Sequence, residues 1–152
     1  MKKVLSLVFS LFLLGLLQGS AQTSKTEESA PENGKDYATL YVYRPGNVEG
    51  AIVGYELKVT YADGSEEKLG RIKNNSKFEV KLTKEGKAEL WAKTEKYVSA
   101  TVDVKFGESY YLKAGTKPGW AMGQPELTLV YPDQGKIDYE NFGKKRAKKN
   151  KK

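Results

Sequence analysis

The residue types that most often carry out enzymatic chemistry place the first limits on this protein. The chain contains no histidine and no cysteine. Serine hydrolase triads, cysteine nucleophiles, haem, iron–sulfur clusters and zinc sites with nitrogen or sulfur ligands are therefore not expected. No glycine cluster follows a predicted strand and opens a helix, so phosphate loops and dinucleotide fingerprints are not expected either. We predict that the protein uses no cofactor.

Carboxylates are the catalytic groups that remain. The chain has 19 Asp and Glu residues, and a glycosidase would need two of them on opposite sides of one bond. Most of these acids stand beside lysines on predicted strand faces or in turns, as solvated residues do. The stretch from Asp63 to Glu67 is better explained as a turn than as a calcium loop. We therefore predict a non-catalytic protein, with a carboxylate-dependent glycosidase as the less favoured hypothesis.

Aromatic residues are the next candidates, because the chain has ten tyrosines and several fall opposite the predicted core face. One hypothesis is an exposed patch that binds sugar rings or a partner. The other is a second core beneath a covering loop, in which case Arg44 makes an ion pair or caps a carbonyl. The candidate residues are Tyr41, Tyr43, Arg44, Trp91, Tyr111 and Trp120.

The positive charge of the protein is concentrated at its C-terminus. Residues 37–142 carry fifteen basic and fifteen acidic residues, although the whole chain has a net charge of +7. Such a cluster attracts lipid phosphates, lipopolysaccharide or acidic glycans, or an envelope protein, rather than nucleic acid. The alternative is a solubilising end without a dedicated partner. The basic residues are Lys144, Lys145, Arg146, Lys148, Lys149, Lys151 and Lys152.

The N-terminus has the three regions of a secretory signal peptide. Two lysines precede an apolar run from Val4 to Leu17, and small residues follow up to Ala21. The run is shorter than the roughly 20 residues of a spanning helix, and no second one occurs. We expect residues 1–21 to be removed, leaving a periplasmic or extracellular protein without a transmembrane span that can associate peripherally with a membrane. Residues 22–36 are predicted to be a flexible linker.

Between the linker and the basic end, the sequence alternates between apolar and polar residues. The run from Ser99 to Gly115 has two such stretches around Gly107 and predicts a β-hairpin, and Asp63-Gly64 predicts another. About eight short strands with turns between them favour an all-β protein, an antiparallel β-sandwich of immunoglobulin-like or prealbumin-like type over residues 37–142. Asp138 to Phe142 is predicted to form one helical turn, and residues 143–152, the basic tail, to be disordered.

Two short motifs carry a resemblance to known families. Leu40-Tyr41-Val42-Tyr43-Arg44-Pro45 and Phe106-Gly107-Glu108-Ser109-Tyr110-Tyr111-Leu112 resemble a bacterial family of small exported proteins, domain-of-unknown-function family number 2846. The span from Leu82 to Leu112 is similar to the PEGA-type β-module of bacterial envelopes. Both resemblances imply a small β-sandwich without catalytic activity, and neither implies a functional residue.

Overall fold

Two four-stranded sheets pack face to face, as the alternating segments predict. A computed structural model describes residues 34–48 and 50–144. The first sheet has the order β4-β1-β7-β8 and the second has the order β3-β2-β5-β6. The strands are β1 (Ala38–Arg44), β2 (Tyr55–Tyr61), β3 (Glu66–Ile72), β4 (Ser76–Leu82), β5 (Gly86–Lys93), β6 (Tyr97–Val104), β7 (Ser109–Lys117) and β8 (Gln124–Val130). The prediction of an all-β sandwich is confirmed.

The core lies between the sheets and contains the apolar residues of each alternating strand. Leu40 and Val42 of β1 face Leu57 and Val59 of β2 within one cluster, and all four side chains are at most 1% exposed. Burying one side chain of this size contributes about 1.5–3 kcal/mol. The apolar side of the alternating pattern in β1 and β2 is therefore the inner face of the sandwich, as the alternation predicts.

The predicted hairpin from Ser99 to Gly115 is wrong. β6 belongs to the second sheet and β7 to the first, so the connection crosses from one sheet to the other. Residues at and just before the start of β1 hold this connection: the Gly107 N–H donates to the Tyr37 carbonyl at 3.0 Å, and the Thr39 N–H donates to the Glu108 carbonyl at 2.9 Å. β7 then pairs with β1 in parallel, which corrects the expectation of purely antiparallel sheets. The Asp63-Gly64 hairpin, between β2 and β3, is confirmed.

A helix replaces the predicted single turn near the C-terminus. α1 (Pro132–Glu140) has nine residues and begins at a proline. Proline is well tolerated there because an N–H group at the first helical position would have no partner within the helix. The helix was not predicted from the sequence because its apolar residues do not form a continuous stripe. Ile137 is exposed, and the helix packs against the sheet through Gly135 and Tyr139.

Several sequence predictions fall partly or wholly outside the described residues. They concern the signal peptide, the linker up to residue 33, and positions 145–152 of the basic tail. Within the described part of the chain, no helix has the length and apolar character needed to span a bilayer.

Candidate functional site

The outer face of the first sheet is covered by α1. Tyr41 and Tyr111 stack there with ring centroids 5.0 Å apart and planes 14° apart, and Tyr139 of α1 meets the Tyr41 ring edge-on at 5.0 Å. Gly135 lies so close to Tyr111 that a methyl group on it would be 2.3 Å from the Tyr111 Cβ. These tyrosines form a second, smaller apolar layer beneath the helix.

Two further members of the predicted patch are also buried. The Tyr43 hydroxyl donates to Asp138 Oδ2 of α1 at 3.0 Å, and burial together with this carboxylate raises the pKa of Tyr43. The Arg44 side chain points to the other side of β1 and is 2% exposed. Because Tyr43, Arg44 and Tyr111 are buried, these three residues do not belong to an exposed patch. The tyrosines on this face are covered by α1, and not by a loop as the second hypothesis predicts.

Trp91 lies on a different surface, the outer face of the second sheet. Lys58 on the neighbouring strand β2 places its Nζ 4.9 Å from the Trp91 ring, and Tyr97 on β6, the neighbour on the other side, packs at 5.3 Å. Trp91 Nε1 also donates to Thr60 Oγ1 at 2.9 Å. The indole therefore has neighbours on both adjacent strands, and Trp91 is half-buried.

Of the six residues of the predicted patch, Trp120 is fully exposed to solvent. It belongs to a cluster of loops at one end of the sandwich. The strand registers bring four connections together there: residues 45–54, 73–75, 94–96 and 118–123. We call this cluster the loop end. Its most exposed apolar side chains are Trp120 (100%), Ile52 (99%), Val48 (92%) and Met122 (62%). Ile52, Val48 and Met122 were not among the residues predicted from the sequence. The signal for Ile52 was an apolar triplet, Ala51-Ile52-Val53, between glycines.

The loop 118–123 is held by the turn between β5 and β6. The Glu95 carboxylate accepts hydrogen bonds from the backbone N–H groups of Trp120 (2.8 Å), Ala121 and Met122, and these donors lower the pKa of Glu95. The Thr94 hydroxyl donates to the Gly123 carbonyl at 2.6 Å. The loop closes tightly, since a methyl group on Gly119 would lie 2.8 Å from the Gly123 Cα. Trp120 is thus exposed on an anchored backbone.

The loop 45–54 is anchored from inside the sandwich. The Arg44 guanidinium donates to the Val53 carbonyl at 2.6 Å and to the Gly50 carbonyl at 2.8 Å, and it lies over the Tyr55 ring. Asn47 and Asn74 exchange two hydrogen bonds of 3.0 Å, which tie this loop to the β3–β4 turn. Arg44 therefore caps carbonyl groups, one of the two structural roles expected for it.

The basic tail begins at the loop end. After β8, α1 runs back along the first sheet towards the end of β1, and Lys144 lines an open cleft of about 900 Å³ together with Gly46, Asn75 and Lys113. Arg71 and Lys73 flank the neighbouring loop residues 51–54. Lys96 and Lys117 are exposed at the adjoining turn and strand end.

Two of the described acidic residues at this end, Glu95 and Glu126, are engaged within the fold. Glu95 binds backbone N–H groups, and Glu126 pairs with Lys117 at 2.9 Å. No group of three or more acidic side chains among residues 34–48 and 50–144 is arranged to hold a metal ion. The loop end therefore combines exposed apolar side chains with surrounding cations.

No protein-family model and no curated protein matches the chain. A solved structure that does match is the NMR structure of a protein from Eubacterium rectale. The two chains are 14% identical, and the match covers 67% of this chain and 98% of that one with a TM-score of 0.41.

Proposed function

We propose that this protein is an exported, non-catalytic β-sandwich that attaches peripherally to an anionic surface of the bacterial cell envelope. The sequence supports export through residues 1–21 and attachment through the basic tail. Membership in domain-of-unknown-function family number 2846, or kinship with the PEGA-type module, belongs to the same proposal.

The observation that carries the proposal is the position of Lys144. It places the start of the basic tail at the loop end, where Arg71, Lys73 and Lys96 are exposed. Each basic residue near an anionic membrane contributes about 1 kcal/mol. Because the folded domain presents cations at the end where the tail starts, one surface can engage both at once.

The engagement of the acidic residues supports a non-catalytic role. Asp63 pairs with Lys84 at 2.5 Å, and the Tyr43 hydroxyl donates a hydrogen bond to Asp138. Both carboxylates therefore have a structural explanation. A carbohydrate-binding role is the weaker alternative, because three members of the predicted patch are buried and Trp91 has neighbours on both sides.

The test uses protein expressed from the full chain, purified after export and checked by intact mass for a start at Gln22. We expect it to sediment with vesicles containing phosphatidylglycerol and to stay in solution with pure phosphatidylcholine. Deleting residues 144–152 should reduce partitioning by about a hundredfold or more. A matched variant of full length, with the seven basic residues of the tail replaced by glutamine, should behave like the deletion.

Two results would contradict the proposal. Unchanged sedimentation of both tail variants would remove the basic tail as the attachment device. Equal binding to acidic and neutral polysaccharide, with no binding to anionic vesicles, would favour the carbohydrate alternative.

A further inference from the structure

The exposed apolar tips of the loop end are not explained by electrostatic attachment alone. Trp120, Ile52, Val48 and Met122 lie on two different loops, and none of them packs into the core. A lone exposed apolar residue is ordinary, but several at one end of a folded domain mark an interaction surface.

The two loops lie against each other. A methyl group on Gly123, in one loop, would lie 3.7 Å from Val53 Cγ2 in the other and 3.0 Å from Thr116 Cγ2 of β7. Glu95 and Arg44 hold the two loop backbones, as described above. The apolar tips are therefore presented on a preorganised base, so little conformational entropy is lost when they are buried.

The surrounding charge indicates what buries them. Arg71, Lys73 and Lys96 are exposed at the loop end, and the basic tail starts at the same end, at Lys144. An acidic glycan or a soluble polyanion would match this charge, but it offers no apolar phase for the tips. An anionic bilayer offers both a charged surface and an acyl region. Tryptophan in particular is favoured at the boundary between headgroups and acyl chains.

We propose that the loop end docks on an anionic lipid bilayer by inserting Trp120 and Ile52, with Met122 and Val48 beside them, at the headgroup–acyl boundary. This inference rests on the proposed function and commits the anionic surface to a lipid bilayer. The cations bring the loop end to the surface, and the apolar tips hold it there.

The experiment follows the fluorescence of Trp120. The chain has two tryptophans, so Trp91→Phe leaves Trp120 as the only one. With phosphatidylglycerol vesicles we expect a blue shift of its emission and quenching by lipids brominated near the headgroup end of the acyl chain. Phosphatidylcholine vesicles and soluble polyphosphate should produce neither. The reverse variant, Trp120→Phe, should bind without a shift, and it keeps the test valid if Trp91→Phe is unstable.

A second measurement tests the contribution of the tips to affinity. Trp120→Ala and Ile52→Ser should each lower partitioning onto anionic vesicles by about tenfold. Ala62→Ser, in the exposed β2–β3 turn at the opposite end, is the matched control and should have no effect.

The outcomes separate this inference from the proposed function. Binding to anionic vesicles without a blue shift, or an equal shift with polyphosphate, would overturn insertion while leaving electrostatic attachment in place. Absence of binding to anionic vesicles would overturn both.

Discussion

The Glu95 carboxylate accepts hydrogen bonds from three successive backbone N–H groups, and these donors favour its ionised form. Its pKa is therefore lower in the folded protein than in the unfolded chain, where it is near 4.5. A group of this kind stabilises the fold above its unfolded pKa. The stabilisation decreases as the pH falls from about 4.5 towards the lowered value, because the unfolded chain takes up the proton first.

We therefore expect acidification below about pH 4.5 to weaken the anchoring of loop 118–123. In Glu95→Gln the amide oxygen can still accept hydrogen bonds, but the group no longer titrates. Urea unfolding measured from pH 6 to pH 3 should show a smaller loss of stability in Glu95→Gln than in the wild type. Parallel curves for the two proteins would remove Glu95 as a contributor to acid sensitivity.

Arg44 is a buried charged residue with a structural role. Its guanidinium is buried and donates to two loop carbonyls. Hydrogen bonds that involve a charged group contribute about 1.5–3 kcal/mol each. Arg44→Ala should therefore lower the free energy of unfolding by about 3 kcal/mol, measured by urea denaturation.

Arg71→Ala is the matched control, because Arg71 lies at the same end and is exposed. It should change stability by less than about 0.5 kcal/mol. Equal effects of the two substitutions would contradict the assigned role of Arg44.

At the scale of elements, α1 decides which tyrosines are accessible. It covers Tyr41 and Tyr111, and its Asp138 accepts a hydrogen bond from the Tyr43 hydroxyl. Lys77 of β4 also holds the helix, since its Nζ donates to the Tyr139 carbonyl at 3.0 Å. A paired Tyr41→Ala and Tyr43→Ala exchange therefore disturbs the packing of the helix and is not a clean test of glycan binding.

Gly135→Ala should loosen α1. Alanine favours a helix by about 1 kcal/mol over glycine, but its methyl group would overlap Tyr111 Cβ and force the helix away from the sheet. We expect a net destabilisation of about 2 kcal/mol and a loss of near-ultraviolet circular dichroism from the stacked tyrosines. Lys136→Ala, at an exposed position of the same helix, should leave both unchanged. A stabilised Gly135→Ala protein would contradict the close packing.

At the scale of the whole molecule, the two ends of the sandwich differ. The loop end carries the apolar tips and the start of the basic tail. The opposite end carries the turns 62–65 and 83–85, where Asp63 and Lys84 neutralise each other. Docking through the loop end would therefore orient the sandwich with its strands pointing towards the membrane.

This orientation predicts a pattern of hydrogen exchange. With anionic vesicles, backbone exchange in residues 118–123 and 50–54 should slow, while residues 62–65 and 83–85 should exchange as in the free protein. Neutral vesicles should change neither set. Protection of the outer face of the second sheet, around Trp91, would contradict docking through the loop end.

The amino-acid sequence by itself determined the class of the fold, the inner face of most strands and the residue chemistries available. These properties are local: side-chain alternation follows from the geometry of an extended backbone, and composition needs no structure. It also identified Trp120 and the concentration of charge in the tail. It missed Ile52, Val48 and Met122, because no periodicity distinguishes an exposed apolar loop residue from a buried one.

Only the tertiary structure decided which surfaces are covered and which residues meet. β6 and β7 alternate as a hairpin would, yet bonds from Tyr37 and Thr39 direct β7 into the other sheet. Tyr41 and Trp91 both face outward from their sheets, but α1 covers one and not the other. These outcomes depend on contacts between residues far apart in the chain, such as Gly135 with Tyr111, which a local pattern does not encode. The same long-range packing brings Lys144 to the loop end that carries Trp120.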